Sequence, residues 1–293
     1  MKYRFKRILI TALLSLMAIG FLFSLVLTVS NSFMSETEIT YNYSMISESS
    51  STSSSIADSS NKYASLRLIP EVVVIEQYYN VLVKKPQFLF MFWNSVIITV
   101  PIVLGQIVVS CLAAFAFAKL RFKGRDQLFF IYIIVMLLPF QVTLVPNYLV
   151  ADKLGLVNNY LSIILPGIFN TFGVFLMKQY MEQIPDSYIE AAKVDGASQF
   201  TIFFKIILPM CKNGIAAMFI LVFIDNWNMV EQPLVFLRDA AKQPLSVYLS
   251  RIISGERGLA FSASAIYMLP MLLIFLFGVN YLIEGIERSG IKE

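Results

Sequence analysis

Apolar residues gather along this chain in long runs separated by short polar segments. A helix rises about 1.5 Å per residue, so crossing roughly 30 Å of hydrocarbon takes about 20 predominantly apolar residues. Six stretches reach or approach that length: Ile8–Ser30, Phe90–Ala118, Leu128–Val150, Leu161–Met177, Ile215–Ile224 with its flanks, and Phe261–Ile283. The first is the plainest, with 14 Leu, Ile, Phe or Val in 23 residues, each favouring insertion by about 0.3–0.6 kcal/mol near a helix centre. Its basic leader (Lys2, Arg4, Lys6, Arg7) is shared with signal peptides. The apolar run, however, exceeds the usual length of about 7–15 residues, and no A-x-A-like cleavage site follows. Residues 1–30 therefore read as an uncleaved signal-anchor helix.

The segment that follows, residues 31–70, is patterned differently. Ten of the 17 residues from Ser44 to Ser60 are serine, too little apolar surface to offset the entropy of ordering, so a disordered insert in an extracytoplasmic loop is expected. Apolar character returns near Leu66, and Glu71–Lys85 reads as a short interfacial helix leading into the second span. Basic residues set the orientation. With both termini cytoplasmic, the inner segments hold Lys2, Arg4, Lys6, Arg7, Lys119, Arg121, Lys123, Arg125, Lys178, Lys193, Lys205, Lys212, Arg288 and Lys292, which is 14 of the 23 Lys and Arg. Six spans satisfy this positive-inside bias, whereas five or seven would put one basic end on the wrong side.

Composition narrows the class. Of 293 residues, 57% are hydrophobic and 14% charged, with a mean hydropathy of +0.71, against about 25% charged in soluble domains. The chain reads as an all-α integral membrane protein. No histidine and two cysteines exclude most metal sites, a Cys/His nucleophile pair and a disulfide scaffold, and no metal ligand is expected; Cys111 and Cys211 read as small buried hydrophobes. A net charge of +4 gives no footprint for nucleic acid.

One inner loop, residues 185–209, is longer than a linker needs to be. Pro185 has its φ preset for a first helical turn, and Asp186 suits the positive end of the helix dipole. Ala191 and Ala192 propagate the helix. Asp195-Gly196 ends it, with glycine free to take a positive φ, and Ser198 can cap the next helix, which runs to Leu208-Pro209. Paired alanines beside a glycine admit another backbone closely. Asp186 and Glu190 are like charges four residues apart, which a basic partner would relieve. The residues allow either a docking surface or a solvated amphipathic helix lying on the membrane.

The pattern Glu190-Ala-Ala-x3-Gly196-x9-Ile206-x-Leu208-Pro209 resembles the EAA loop of the membrane subunits of ATP-binding-cassette importers. The resemblance covers roughly Tyr78–Glu293. Asn94-Ser95, Arg121–Arg125, Leu138-Pro139, Leu154-Gly155-Leu156, Ile184-Pro185, Trp227-Asn228 and Ser289–Lys292 look like the carbohydrate subfamily. The serine-rich insert and the terminal Glu293 depart from the pattern. The resemblance implies the type I importer permease fold of six transmembrane helices with a cytoplasmic coupling helix, over a permease domain at 71–293. It implies that Glu190 is the ionic anchor to an ATPase subunit and that Ala191, Ala192, Asp195 and Gly196 shape the close-packed contact. It also implies a prokaryotic inner-membrane location, a second permease subunit forming a heterodimer, two ATP-hydrolysing subunits, an extracytoplasmic solute-binding protein and a sugar or sugar-derivative cargo. A polyamine or phosphate ester is the alternative cargo.

The chain itself lacks the G-x4-G-K-[ST] loop that cradles nucleotide phosphates, containing no Gly-Lys pair at all. It is expected to be no enzyme, to use no cofactor, and to leave hydrolysis to partners. An ion-coupled secondary transporter would call for ionisable residues at span centres; the nearest here, Asp225, falls at the outer end of the fifth stretch. Solute-pathway candidates are polar residues within spans that suit a polyhydroxylated solute: Gln141, Asn147, Asn170, Asn226, Trp227 and Asn228. Helix–helix packing would use the same residue types.

Overall fold

The computed structural model describes residues 2–48, 67–251 and 257–290, with side chains described over 5–43, 67–251 and 257–281. Every regular element among the described residues is helical. In chain order these are α1 (Lys2–Asn31), α2 (Glu36–Glu48), α3 (Glu76–Tyr79) running into a π turn at Asn80–Lys84, α4 (Pro86–Lys119), α5 (Arg125–Met136), α6 (Phe140–Lys153), α7 (Leu161–Ile168) and α8 (Thr171–Glu182). Then follow α9 (Ser187–Val194), α10 (Gln199–Ile202) with a π turn at Phe203–Ile207, α11 (Leu208–Met210), α12 (Lys212–Trp227), α13 (Glu231–Phe236), a 3-10 turn at Ala240–Lys242, α14 (Leu245–Ser250) and α15 (Arg257–Gly290). The serine-rich stretch is helical as far as Glu48, and the rest of it lies outside the described residues, as do residues 291–293 of the C-terminal tail.

The apolar runs become spans of two kinds. Four are long and apolar enough to cross a bilayer: Phe5–Asn31, Pro86–Lys119, Leu161–Glu182 and Arg257–Tyr281. The expected third span is instead a bent pair, α5 and α6, turned by 101°. The fifth lies within α12, which turns by 74° from the preceding helix Gln199–Met210. Counting each pair once gives up to six crossings. The cause of the first bend is local. Pro139 has no N–H and biases Leu138 out of the α region, and Pro139 itself sits at φ −57°, ψ 138°. The 12 residues of α5 span only about 18 Å, short of the hydrocarbon. Both π turns precede a proline: Lys85 N–H reaches Asn80 O at 3.0 Å before Pro86, and Leu208 N–H bonds Phe203 O before Pro209. Shifting the bonding by one residue accommodates an amide that cannot donate.

The chain forms two compact units, Met1–Phe90 with Tyr248–Leu269, and Met91–Val247 with Pro270–Glu293. In the first, α1 is apolar all round. None of its most hydrophobic stretch is buried, and Phe5, Ile8, Leu16 and Phe21 are each more than 60% exposed, as befits a helix solvated by lipid. After it the chain turns back on itself. Val74 N–H donates to Phe33 O (2.8 Å), Ser32 and Tyr78 hydroxyls meet at 2.6 Å, and Met34 and Ile39 are fully buried. Glu36 accepts from the backbone N–H groups of Arg257 (3.2 Å) and Gly258 (2.9 Å), placing a carboxylate at the positive end of α15. Of the stretch Glu71–Lys85, expected to be helical, the part from Glu76 to Lys84 is helix.

The second unit holds most of α4. Gly105 faces Ile168 and Gly167 faces Ile102, so α4 and α7 approach through paired glycines, as small residues allow in membrane bundles. At one end an apolar cluster of Ile98, Ile102, Ala151, Ile163, Ile164, Phe236 and Leu237 closes the packing. Several backbone groups there are bonded by a few side chains. Asn94 Nδ2 donates to Ala241 O (2.7 Å) and Gln243 O (3.1 Å), while its Oδ1 accepts from Tyr160 OH (2.9 Å). Ser95 Oγ accepts from Leu245 N–H at 2.9 Å. Gly155 (φ +68°) terminates α6, with Leu156 N–H returning to Ala151 O at 2.8 Å, a closure that needs the left-handed residue.

Asn94→Leu strands one hydroxyl and two carbonyls in an apolar setting. A loss of about 2–3 kcal/mol is expected, read as a lowered unfolding temperature in detergent, with Ser95→Ala costing less. An unchanged melting temperature for Asn94→Leu would remove this role for Asn94.

Candidate functional site

The loop at 185–209 folds as helix, turn, helix. Asp186 precedes α9 in the N-cap position but makes no side-chain cap. Its carboxylate instead pairs with Lys119 Nζ at 2.8 Å, and the same ammonium donates to Ile184 O at 2.5 Å. The Lys119 side chain is only 4% exposed and Asp186 68%. The ammonium hydrogen bond holds the Asp186 carboxyl below the usual carboxylate range. Like charges at 186 and 190 therefore do not both await a partner, because the first is answered within the chain. At the far end Gly196 takes φ +76°, and Ala197 N–H reaches back to Ala192 O at 2.9 Å. Ser198 Oγ then accepts from Thr201 N–H (3.2 Å) and caps α10.

The α9 helix has two faces. Ile189 and Ala192 are buried, at 6% and 8% exposure, and fix it to its own unit. Glu190, Ala191, Asp195 and Gly196 lie on the exposed side, with Tyr188, Val194 and Phe200 each more than half exposed. Of the two alanines, then, only Ala191 is open to an incoming surface. Glu190 forms no ion pair with any described residue, so its charge is free to act outside this chain.

The pathway candidates do not all converge. Asn170 and Asn226 line a cleft of about 310 Å³ together with Gln106, Phe172, Leu221, Val222 and Asp225. Asn170 spends its Oδ1 on Phe172 N–H (2.9 Å), capping α8, and Asn226 Nδ2 donates to Val222 O (2.8 Å), so each keeps a further group for the cleft. Trp227 is 2% exposed and stacks on Phe223 (5.3 Å) with its edge to Phe92 (5.6 Å), which makes it a packing residue. Asn228 donates to Ile224 O (2.9 Å) and meets Met271 Sδ (3.4 Å). Gln141 pairs with Glu231 at 3.2 Å, and Asn147 is half-buried on α6; neither lines the cleft.

Gln106 and Ser110 are polar residues that the sequence reading did not mark. Gln106 is 1% exposed in the middle of α4, and its neighbour Ser110 has a buried hydroxyl without a hydrogen-bond partner. A lone amide in a long apolar run was the available signal. Asp225, which the sequence places beside Asn226 at the outer end of the fifth stretch, shares the cleft with Gln106.

Comparison with known proteins assigns the arrangement. Residues 80–288 match the family model described as the binding-protein-dependent transport system inner membrane component. The chain is 30% identical over 226 residues to an arabinooligosaccharides transport system permease protein of Halalkalibacterium halodurans, covering 76% of this chain and 81% of that one. It is 32% identical to an sn-glycerol-3-phosphate transport system permease protein of Pectobacterium atrosepticum (69% and 74% covered). To a lactose transport system permease protein of Rhizobium radiobacter it is 30% identical (68% and 74%). The fold is shared with a bacterial ABC transporter involved in the import of the acidic polysaccharide alginate, at a TM-score of 0.76 and 24% identity over 95% of this chain and 96% of that one. With its helical spans, its exposed α9 loop and a family match across most of its length, this chain belongs to the inner-membrane components of binding-protein-dependent transport systems.

Proposed function

We propose that this chain forms half of the pathway for a sugar or sugar derivative in an ATP-binding-cassette importer, coupled through α9 to separate ATPase subunits. An importer of this family comprises permease, ATPase and solute-binding components. The finer reading is a heterodimer with a second, similar permease and two ATPases, with Glu190 as the anchor to a basic residue and Ala191, Asp195 and Gly196 admitting the partner's backbone. The observation that carries it is the division of α9: Ile189 and Ala192 hold the helix from inside while Glu190 stands exposed and unpaired. Differential binding of nucleotide to two conformations would then drive alternating access, and this chain would contribute no catalytic group.

The sugar assignment draws on relatives named for arabinooligosaccharides and lactose and on the chemistry of the cleft. Gln106, Asn170 and Asn226 offer donors and acceptors together, as hydroxyl-rich solutes require. The cleft lining contains Asp225 and no Lys or Arg. A phosphate ester in this cleft would meet a carboxylate and no cation among the residues that line it, which favours an uncharged sugar.

Glu190→Ala removes one charge-assisted contact of about 1.5–3 kcal/mol, so uptake into vesicles with the assembled complex is expected to fall by about tenfold or more. Gly196→Val forces an L side chain to φ +76° and should act likewise. Insertion and subunit co-purification are expected to persist. Normal uptake by both variants would sink the coupling role of α9. In whole cells, deleting this chain should abolish accumulation of one or more labelled neutral oligosaccharides and leave sugar-phosphate uptake intact; the reverse selectivity would overturn the cargo assignment.

A further inference from the structure

A lysine is rarely so enclosed without a partner, because burying an ammonium forfeits its hydration. Lys119 is the last residue of α4, and its ammonium has two acceptors of different kinds. One is Ile184 O, just past the end of α8, where helix carbonyls lack intrahelical donors and the dipole is negative. Pro185 follows and has no N–H to offer. The other is the carboxylate of Asp186, on the first turn into α9. Three elements therefore meet at one charge: the end of α4, the end of α8 and the start of the exposed α9 helix. From Lys119, α4 continues without proline or break to Gln106, roughly 20 Å along the same rod, and Gln106 lines the cleft. Close glycine packing ties that rod to its neighbours, with Gly173 of α8 set against Ser110 and Gln106. A displacement of α9 is thus delivered to a stiff element whose far part carries a cleft residue.

Resting on the reading of α9 as the coupling helix, we infer that Lys119 is a positioning residue that transmits movement of α9 to the cleft by clamping Ile184 and Asp186 to the end of α4. The ammonium suits the task because its three protons can serve both acceptors while the joint pivots. Removing it leaves Asp186 to water, because that carboxylate is exposed, and leaves Ile184 O without this donor. What is lost is the tether. The depressed carboxyl of Asp186 agrees with a standing ion pair.

The test requires no knowledge of the cargo. The whole complex, with its ATPase subunits, is reconstituted in liposomes with Asn226→Cys in the cleft, and the rate of labelling by a hydrophilic maleimide is compared with and without ATP plus vanadate. The parent without Asn226→Cys corrects for the buried Cys111 and Cys211. A nucleotide-dependent change of about threefold or more in that rate is expected with Lys119 present. It should be lost in Lys119→Met while the ATPase subunits still co-purify, and restored in Lys119→Arg. A preserved change in Lys119→Met overturns the proposal. If Lys119→Met does not reach the membrane, Asp186→Asn decides: a weakened change supports the clamp and an unaltered one refutes it. Glu190→Ala separates the two readings. Loss of the change in Glu190→Ala but not in Lys119→Met leaves α9 as the coupling helix and removes the clamp; persistence in both removes the coupling reading as well.

Discussion

Hydrocarbon supplies no hydrogen bonds, so each backbone amide of this chain that enters the bilayer must find its partner within protein. That constraint explains why the regular structure is helical and why its irregularities are so well accounted for. Where Pro139 interrupts a helix the chain turns and starts another. Where Pro86 and Pro209 remove a donor, a π turn just before each shifts the bonding by one residue. Where the loop at 237–245 leaves the helical pattern, Asn94, Ser95 and Gln243 bond its backbone. The same rule accounts for the glycine-to-isoleucine contacts between α4 and α7. With lipid as apolar as leucine, close approach and dispersion replace the hydrophobic effect as the source of helix association.

Against this apolar background, two polar features stand apart. One is the α9 loop, held by an inner apolar face and by Lys119, with its acidic residue turned outward. The other is the cleft of Gln106, Asn170, Asp225 and Asn226. Both contact α4, the first at its terminal lysine and the second near its middle. In the proposed mechanism this helix converts a push on the loop into a change around the solute, and the importer needs no catalytic group in this chain because the work arrives mechanically from its ATPases.

Much of this was legible in residue order. The apolar runs, the two ends of α9 at Pro185 and Asp195-Gly196, the cap at Ser198 and the EAA pattern are local features whose physics operates within a few residues. The pathway candidates were less legible. Asn228 and Gln141 carry the same amide as Asn170 and Asn226, and Trp227 lies beside them in the sequence, but Trp227 packs among Phe92 and Phe223 and Gln141 pairs with Glu231. Which polar side chain faces a cleft depends on helix rotation, and a helix of low amphipathicity gives no sequence signal for it. The expected third span is not one straight helix for a related reason. Hydropathy records length and apolarity, whereas the direction of each half is set by what it packs against.

Sequence alone determined that the chain lives in a membrane, that it carries no nucleotide loop, and which loop bears the EAA residues, because composition and short-range backbone chemistry need no tertiary context. Tertiary structure decided that Asp186 is already answered by Lys119, that Ala192 faces inward while Glu190 faces out, and that Gln106 meets Asp225 in one cleft. The ion pair joins residues 67 positions apart, and the cleft joins residues more than 100 apart. Their separations become contacts only when the helices have chosen their neighbours.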